Sequence, residues 1–508
     1  MHETGQETLS PPLRALLRRA EDAPDEVALV ADGEEWTPQR LLQVSGRVAA
    51  GLAARGVGPG DRVAVHMFNT AETVVSYLAC LWLGATVLPL NTRLATPELE
   101  NLVRRTQPRA YLGHHDVYER FAPVARDLVP DHLRFVAGET ADGFGGARWR
   151  DLEADETAPM YDLLDPGAPA VLLATSGTTG PSKLVIWSHR TLAGLDVSAA
   201  ERGIRKGTVF SLMTPMTHCS GLYFLLVCLS QDATAVLVRQ FTAADVLDQI
   251  EQAQVTSVFA LPFMYAVLVR EQLTRPRTVS TLRHALVAGD VCPPQVETDF
   301  ERVFTIPLRS CWAATEDVGG IAPSRRSGPY LRLNHGTHVE VVGPGGEQVA
   351  QGDVGELVIS SPTTSPGYWQ GPSDETALSE GAFRSGDLVR EVEPGVLRYV
   401  SRKKDIIVRG GSNISPHEVE ELLRTHPHVA DIGVAGYPDP VLGQRVGALV
   451  VIAAPSPGSS LEDELRDWAL GHLAAHKVPE RIRFVSSVPR NAMTKIDRAA
   501  VTTTLTND

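Results

Sequence analysis

From about residue 40 to residue 310 the sequence alternates between short apolar runs and amphipathic stretches. RVAVHM (62–67) has the composition of a buried strand, and AETVVSYLACLWLG (71–84) that of a mostly buried helix. TPELENLVRRTQ (96–107) has the apolar spacing of a further helix, with Thr96 as its predicted N-cap. Strand–helix alternation of this kind predicts an α/β fold, built from layers with largely parallel sheets.

The pattern changes after about residue 320, where Gly and Pro separate strand-like segments. In THVEVVGPGGEQVAQGDVGELVIS (337–360) a turn signal lies between two β-prone runs, so we expect antiparallel pairing in a β-rich subdomain. Beyond the charged stretch SRKKD (401–405), strands and helices follow one another in a small α+β unit. We therefore predict a large N-terminal domain at 1–402 and a small, mobile C-terminal domain at 403–508.

The composition excludes two classes of protein. With 43% hydrophobic and 21% charged residues, the 508-residue chain can bury a large core, which an intrinsically disordered protein cannot do. Its 61 acidic residues outnumber the 47 basic ones, giving a net charge of −14. That balance argues against a general nucleic-acid binder, because such a protein needs Lys and Arg to displace phosphate counterions.

The sequence predicts a cytoplasmic protein without a membrane span. Its N-terminus has no apolar core of the signal-peptide type. The most apolar stretches, such as VVSYLACLWLGATVLPL (74–90), are interrupted by Gly or Pro and fall short of the ~18 clean apolar residues of a membrane helix. The five cysteines are widely spread and form no Cys-x-x-Cys pair, which favours reduced, buried thiols.

A loop rich in Gly, Ser and Thr, TSGTTGPSK (175–183), directly follows the apolar run AVLLA. Residues of these types let backbone N–H groups approach phosphate oxygens closely, and Lys183 adds a positive charge. A Walker A loop is excluded, because Ser182 precedes the lysine and Leu184 follows it. The loop therefore predicts a nucleotide site of another kind, and its chemistry alone leaves an ordinary surface loop as the alternative.

This loop resembles the signature loop of the adenylate-forming superfamily, which includes acyl-CoA synthetases, nonribosomal-peptide adenylation domains and luciferases. The order of Pro181 and Ser182 is reversed relative to the family, while Lys183 keeps its position. The resemblance covers nearly the whole chain and is closest to acyl-CoA synthetases. The matching motifs follow in the family's order: GATVLPLNTRL (84–94), ATE (314–316), GELVISSP (355–362), GYW (367–369), RSGDLV (384–389), RKKDIIVRGGSNISPHEVE (402–420) and PRNAMTKIDR (489–498).

The resemblance implies that the chain joins a carboxylate to the α-phosphorus of ATP and expels pyrophosphate. Because both reactants are anions, such an enzyme needs positive charge at the reacting atoms. By resemblance, Lys495 is the catalytic lysine, Thr315 contacts the α-phosphate and Glu316 binds Mg²⁺. The nucleotide-binding residues implied in the same way are Thr175, Ser176, Gly177, Thr178, Thr179, Gly180, Lys183, Gly289, Trp312, Asp387 and Arg402.

The resemblance assigns a role to Asp387 and Trp312, and the sequence departs from the family at three further positions. The resemblance implies that Asp387 accepts both ribose hydroxyls beside Arg402, and that Trp312 stacks on the adenine. Trp312 and Ala313 replace the Tyr-Gly of most relatives, so we expect a narrower acyl pocket beside Ala313. Thr494 stands where the family has Gly before its lysine, and Thr tolerates a positive φ or a close approach poorly.

The stretch MTPMTHCSGLYF (213–224) resembles the acyl-CoA synthetase form of its motif, which implies that His218 lines the acyl pocket together with Gly289 and Ala313. Residues 209–229 contain no Asp or Glu that could balance a substrate ammonium group. A carboxylic acid without an α-amine is therefore favoured over an α-amino acid. A purely structural role for His218 is the alternative that stays open.

The second half-reaction needs a slot for pantetheine. RGGSNIS (409–415) resembles the loop that lines this slot in the family, where Gly410 and Gly411 would let a thin chain pass close to the backbone. Lys404 falls where relatives pivot between an adenylating and a thioester-forming arrangement. CoA and a carrier protein share the pantetheine arm, so the sequence leaves the acceptor open.

Three functions therefore stay open. The first is a complete acyl-CoA synthetase that uses ATP, Mg²⁺, CoA and a small carboxylic acid. The second is a stand-alone adenylating enzyme that loads an acyl carrier protein in secondary metabolism, and the third is a degenerate member that performs one half-reaction. Thr494 keeps the third open, and the oligomeric state is open as well, a homodimer included. The intact positions that weigh against the third are Lys183, Thr315, Glu316, Asp387 and Lys495.

Overall fold

The three-dimensional structure is a computed structural model. It describes residues 9–125, 127–138, 146–162, 165–175, 182–325, 328–371, 374–378, 381–410, 412–453, 461–490 and 495–507. Within these ranges the helices are α1 (Pro11–Asp22), α2 (Pro38–Ala53), α3 (Ala71–Trp82), α4 (Thr96–Thr106), α5 (His115–Ala125), α6 (His189–Gly194), α7 (Cys219–Ser230), α8 (Ala243–Gln252), α9 (Pro262–Thr274), α10 (Pro294–Phe304), α11 (Pro416–Leu423), α12 (Leu461–Leu470) and α13 (Arg498–Thr506).

The strands of the described residues fall into four sheets. They are β1 (Leu29–Ala31), β2 (Glu34–Trp36), β3 (Arg62–His66), β4 (Thr86–Pro89), β5 (Ala110–His114), β6 (Arg134–Ala137), β7 (Ala147–Arg148), β8 (Pro169–Thr175), β9 (Lys183–Ser188), β10 (Val209–Leu212), β11 (Thr234–Leu237), β12 (Ser257–Ala260), β13 (His284–Val287), β14 (Leu308–Ser310), β15 (Ile321–Ala322), β16 (Tyr330–Leu333), β17 (His338–Val342), β18 (Val354–Ser360), β19 (Gly367–Gly371), β20 (Asp374–Ala377), β21 (Phe383–Glu393), β22 (Val396–Arg402), β23 (Ile407–Arg409), β24 (Ser412–Ile414), β25 (Val429–Asp439), β26 (Gly443–Ile452) and β27 (Arg481–Phe484).

Two large sheets organise the N-terminal part of the chain. The seven-stranded sheet has the order β14-β13-β12-β10-β11-β1-β2, and all neighbours are parallel except β1 and β2. The nine-stranded sheet has the order β20-β19-β9-β8-β4-β3-β5-β6-β7, parallel from β8 to β7 and antiparallel from β8 to β20. The predicted α/β fold with largely parallel sheets is thus confirmed.

The other two sheets agree with the predictions of an antiparallel β-rich subdomain and a small α+β unit. The six-stranded sheet β15-β16-β22-β21-β18-β17 is wholly antiparallel, and β17 pairs with β18 across the expected turn. The five-stranded sheet after residue 406 joins β24-β23-β26-β25 with β27 parallel to β26. Its side chains contribute to two apolar clusters that are separate from the main core and include Val434, Val446 and Leu449. This part of the chain is the expected small α+β unit.

Helix α3 illustrates how burial selects these elements. Every one of its residues except Glu72 is buried, so the apolar run at 71–84 forms a core helix and not a strand. Gly84, with φ of +67°, follows the helix and lets the chain turn into β4. Helix and strand together place the apolar side chains of 71–90 in the main core, as the sequence predicted.

One predicted cap is wrong, and several helices were not predicted, the C-terminal α13 among them. Helix α4 begins at Thr96, but its N-cap is Ala95, whose N–H is capped by Glu98 Oε2 at 2.8 Å. The Thr96 hydroxyl instead donates to the Arg120 carbonyl at 3.1 Å, a tertiary partner that the local sequence does not reveal. At the C-terminus, α13 packs on β25 and β26.

Two further expectations concern thiols and membranes. All five cysteines are free, and Cys80, Cys219, Cys228 and Cys292 are buried, while Cys311 is half-buried. Throughout the described ranges no helix combines the length and apolarity that crossing a bilayer requires.

Candidate active site

The candidate site lies where parallel strands of the seven-stranded sheet end. The segment with His218 follows β10, that with Gly289 follows β13, and that with Trp312 follows β14. Carboxyl ends of neighbouring parallel strands share one edge of the sheet, so these segments converge there. Side chains from the β-rich sheet and from the C-terminal unit complete the site.

The Gly/Ser/Thr-rich segment lies between β8 and β9, two strands that pair antiparallel. Thr175 pairs with Lys183, and its hydroxyl lies 3.4 Å from the Lys183 carbonyl. The predicted nucleotide contacts Ser176, Gly177, Thr178, Thr179 and Gly180 lie outside the described residues. The ammonium of Lys183 is exposed and lies 4.7 Å from the centre of the Tyr368 ring.

Tyr368 links the loop lysine to the predicted metal ligand. Its hydroxyl donates to Glu316 Oε1 at 2.9 Å, and burial together with the Glu316 carboxylate raises the pKa of the phenol. Lys183, Tyr368 and Glu316 therefore form one polar cluster. The motif GYW predicted no role for Tyr368, because this motif is far from the loop in the sequence and only the pairing of β19 with β9 brings the two together.

Asp317, immediately after Glu316, was not predicted at all and is completely buried. Its carboxylate accepts hydrogen bonds from the hydroxyls of Ser361 at 2.7 Å and Thr364 at 2.6 Å, and from the Gly320 N–H at 2.9 Å. A buried carboxylate with this many donors is fully compensated for its lost hydration. It therefore fixes the turn that carries Glu316.

Hydrogen bonds to the backbone carbonyls of Thr315 and Glu316 also fix this segment. The fully buried indole of Trp187 donates to the Thr315 carbonyl at 2.8 Å. The Ser365 N–H donates to the Glu316 carbonyl at 2.8 Å. Thr315 and Glu316 thus project from a rigid segment, which is what precise positioning of a phosphate and a metal ion demands.

The buried carboxylate of Asp387 has two side-chain partners, the buried Trp312 and the half-buried Arg402. Trp312 Nε1 donates to Asp387 Oδ2 at 2.8 Å, and Arg402 Nε lies 2.9 Å from Oδ1. Burial raises the pKa of the Asp387 carboxyl, and Arg402 and Trp312 oppose that rise. For Arg402 burial acts to lower the pKa, but Asp387 and other acidic groups around it together outweigh burial, and the pKa is raised. Each carboxylate oxygen keeps lone-pair capacity for a further donor such as a ribose hydroxyl.

Lys495 reaches this region from the C-terminal unit. It lines a small cavity of 110 Å³ together with Gly289, Asp290 and His417. Burial, and next the Arg402 guanidinium, hold the pKa of Lys495 below its ordinary value, while the carboxylate of Asp290 acts in the opposite direction. Thr494, the departure before this lysine, lies outside the described residues.

Of the three predicted acyl-pocket residues, one lies at the start of α7. His218 is the N-cap residue of α7, and its Nδ1 lies 3.5 Å from the Cys219 sulfur. Gly289 has φ of +92°, and a Cβ there would lie 2.3 Å from a methyl carbon of Leu261, so only glycine fits. Ala313 is exposed. Cys219 was not predicted as a site residue.

The remaining predicted residues lie at the junction with the C-terminal unit. Gly410 has φ of +55°, in the region that favours glycine, and Gly411 lies outside the described residues. Lys404 is exposed in the middle of a short 3₁₀ turn, Lys403–Asp405, between β22 and β23.

The donor set around Glu316 suits Mg²⁺. This cation binds through one or two carboxylates and completes its shell with phosphate oxygens and water. Glu316 supplies a carboxylate next to the loop lysine, so the residues fit a metal that is shared with a nucleotide.

A second cluster of metal-type ligands, His114, His115 and Asp116, follows β5. Here Arg239 Nη2 lies 3.1 Å from both His114 Nε2 and Asp116 Oδ2. The guanidinium already supplies the positive charge that the carboxylate needs, so we interpret this cluster as an ion-pair network.

Comparison with known proteins agrees with this arrangement. Residues 16–369 match the family described as AMP-binding enzyme, and residues 418–495 match the AMP-binding enzyme C-terminal domain. A feruloyl-CoA synthase of Amycolatopsis sp is 31% identical over 503 residues, covering 96% of this chain and 97% of that protein. The fatty acid–[acyl-carrier-protein] ligase ScoC of Streptomyces coeruleorubidus is 28% identical, with 94% and 93% covered. The structure of the amide bond synthetase McbA of Marinactinospora thermotolerans superimposes with a TM-score of 0.87 at 27% identity, covering 98% of this chain and 100% of that one.

Proposed function

Because the chain belongs to the family of AMP-binding enzymes, we propose that it activates a carboxylic acid with ATP and transfers the acyl group to a pantetheine thiol. The first step forms an acyl-adenylate and releases pyrophosphate. The second step forms a thioester and releases AMP. The chain is thus an acid–thiol ligase.

In the first step the nucleotide lies between the Gly/Ser/Thr-rich segment and the β-rich sheet. The loop Thr175–Gly180 and Lys183 bind the phosphates, Trp312 and Gly289 flank the adenine, and Asp387 accepts the ribose hydroxyls. The pairing of Asp387 with Trp312 and Arg402 supports this role, because both partners orient the carboxylate and oppose the pKa rise that its burial causes. Mg²⁺ held by Glu316 would neutralise charge on the phosphates.

Lys495 and Thr315 act on the reacting atoms. The Lys495 ammonium contacts the substrate carboxylate and the α-phosphate, and it balances the charge that develops as pyrophosphate leaves. Its partial burial makes that charge more effective than it would be in water. Thr315, held by Trp187, donates its hydroxyl to the α-phosphate.

The substrate is a carboxylic acid without an α-ammonium group. His218, Gly289 and Ala313 line the acyl pocket, and residues 209–229 offer no carboxylate to pair with an ammonium. The apolar side chains of α7 favour an apolar acyl group.

The second step requires the small domain at 403–508 to rotate against the large domain at 1–402. We place the pivot at Lys404, an exposed residue in the short 3₁₀ turn between β22 and β23. Gly410 and Gly411 then line the pantetheine slot. CoA is the acceptor that we favour, and the pantetheine arm of a carrier protein is the alternative.

The observation that carries this proposal is the position of Lys495. A lysine from the C-terminal unit lies in one small cavity with the Gly289–Asp290 segment and within the electrostatic reach of Asp387 and Arg402. This is the assembly that adenylation requires, and neither unit contains it alone.

The test is a product analysis by mass spectrometry with ATP and a panel of acids. The panel contains ferulate, octanoate, indoleacetate and common α-amino acids, each without acceptor, with CoA, with a phosphopantetheinylated carrier protein, or with a simple amine. We expect pyrophosphate from at least one plain acid and a thioester in the presence of a thiol. A product with the amine but with neither thiol would contradict the acceptor class, and no pyrophosphate from any acid would contradict adenylation.

A further inference from the structure

His218 and Cys219 bring an imidazole and a thiol together at the start of α7. The Cys219 sulfur lies 3.5 Å from His218 Nδ1, and the Thr315 side chain hydrogen-bonds to the same sulfur. Cys219 is therefore not an isolated cysteine, because it has an acid–base partner on one side and a hydroxyl of the candidate site on the other.

The five cysteines of the chain are not equivalent. Burial tends to raise the pKa of Cys219 as well, but the His218 imidazole and the Thr315 hydroxyl outweigh it, and the pKa lies below the ordinary value. The first turn of α7 adds backbone N–H groups that stabilise a thiolate. Burial raises the pKa of the other four thiols, which are Cys80, Cys228, Cys292 and Cys311.

The thiol also lies where the activated acyl group would be. Thr315 is the proposed contact of the α-phosphate, and Lys495 is the proposed contact of the substrate carboxylate. The charge of Lys495 acts on His218 as well as on Cys219, so the ammonium and the thiol share one small region. In an acyl-adenylate a single oxygen joins the carbonyl carbon to the α-phosphorus. An acyl carbonyl bound between Thr315 and Lys495 is therefore a neighbour of the thiol.

We propose that Cys219 is a second nucleophile of this site, which captures the acyl group of the chain's own acyl-adenylate as an enzyme thioester when no acceptor thiol is bound. This inference rests on the proposed function, because that function supplies the electrophile. The step belongs to the class of covalent catalysis by a Cys–His pair.

The step balances without any additional reactant. His218 Nδ1 takes the thiol proton, and the sulfur forms a bond to the carbonyl carbon. The bond between that carbon and the phosphate oxygen then breaks, and AMP leaves with the electron pair. The products are an acyl thioester at Cys219, AMP and a protonated His218, which returns its proton to solvent.

One competing nucleophile lies on the same imidazole. Ser220 Oγ is 3.3 Å from His218 Nδ1. An alcohol is much less ionised than a thiol at neutral pH, so the sulfur is the group that reacts. The two products differ chemically, because neutral hydroxylamine cleaves a thioester readily and an ester or amide slowly.

The experiment incubates the full chain with ATP, Mg²⁺ and the acid of the panel above that releases pyrophosphate fastest, without any thiol. Intact-protein and peptide mass spectrometry then locate adducts, and pyrophosphate is measured in the same sample. We expect a mass increase equal to the acid minus one water on the Cys219 peptide, lost after neutral hydroxylamine. Adding CoA at the start should suppress the adduct, a readout that needs no variant.

Two variants test whether Cys219 is the residue that is acylated. In each variant the amount of adduct is divided by the amount of pyrophosphate released. Cys219→Ser should lose the hydroxylamine-sensitive adduct. Cys228→Ala, a buried thiol on the same helix, should retain it. Pyrophosphate release without an adduct, an adduct on another residue, or an adduct that persists in Cys219→Ser would overturn the inference and leave the proposed function standing. Absence of pyrophosphate with every acid would overturn both.

Discussion

Replacing Trp312 by Phe removes the indole N–H that reaches Asp387 Oδ2 over 2.8 Å and keeps an aromatic face for the adenine. A hydrogen bond to a charged acceptor contributes about 1.5–3 kcal/mol, and about 1.4 kcal/mol corresponds to a factor of ten in an equilibrium constant. If the whole contribution appeared in binding, the Kd for AMP would rise about 10- to 150-fold. Part of the loss destabilises the unbound protein instead, so we expect a rise of about 10-fold.

The same variant should change the pH dependence of AMP binding. Burial raises the pKa of Asp387, and Trp312 opposes that rise. Without the indole the pKa of Asp387 should rise further, so the carboxylate becomes protonated at a higher pH. The protonated form would no longer accept hydrogen bonds from both ribose hydroxyls. The acid limb of AMP affinity should therefore shift toward higher pH. Calorimetric titration of AMP over a pH series measures both effects without knowledge of the acid substrate.

Trp149→Phe is the matched control. Its indole is buried and donates to a neutral acceptor, Ser76 Oγ, at 3.0 Å. This control should lower the melting temperature as Trp312→Phe does, and it should leave the Kd for AMP unchanged. An unaltered Kd and acid limb in Trp312→Phe, or equal changes in both variants, would refute the assignment of Trp312 as the residue that positions Asp387.

Four further results are expected. Lys495→Ala should abolish pyrophosphate release and leave thioester formation from a supplied acyl-adenylate largely intact, because the charge is needed as pyrophosphate leaves; release at the parental rate would show that another group is catalytic. Common α-amino acids should give no pyrophosphate exchange, since 209–229 provides no counter-charge, and exchange above that of every plain acid would contradict the pocket assignment. Lys404→Pro should keep adenylation and lose most thioester formation at an unchanged melting temperature, because proline fixes φ at an exposed pivot; two parental half-reactions would remove the pivot from this residue. Asp317→Asn should lower the free energy of unfolding by about 1–3 kcal/mol in denaturant titrations, because the amide cannot accept from every present donor, and an unchanged midpoint would contradict that reasoning.

The elements of the large domain that the sequence predicted are those on which burial imposes a clear periodicity, while helices such as α1 and α2 were not predicted. The run predicted as a helix at 71–84 forms α3 at Ala71–Trp82, since it is buried nearly all round. Helix α13 was missed because RAAVTTTLT is rich in β-branched Thr, which has low helix propensity. Its helical form depends on burying Val501 and Leu505 against the C-terminal sheet, and no local pattern contains that contact.

The candidate site also contains features that the sequence predicted and features that it could not predict. Motif spacing pointed to Asp387, Trp312 and Glu316 one by one, and the structure places the first two in direct contact. Motif spacing could not predict the hydrogen bond between the Trp312 indole and Asp387, because the two residues are 75 positions apart. A tryptophan beside a nucleotide is usually expected to stack on the base. Asp317 was missed for a related reason. Its importance comes from donors in a segment more than 40 residues away, which only the folded chain brings to it.

Under the proposed function, Asp387 and Lys495 differ in how their charges are balanced within the protein. Burial alone would favour the neutral forms of both Asp387 and Lys495. Asp387 has compensating partners within the protein, since Arg402 and Trp312 oppose the pKa rise that burial causes, and its proposed ligands are neutral ribose hydroxyls. Lys495 is placed differently, because its largest neighbouring influence after burial is the positive charge of Arg402. Asp290 and Asp387 act in the opposite direction, and the phosphates and the carboxylate of the proposed reactants would add further negative charge. Its ammonium is therefore stabilised most when both reactants are bound, which is the state in which the chemistry needs it.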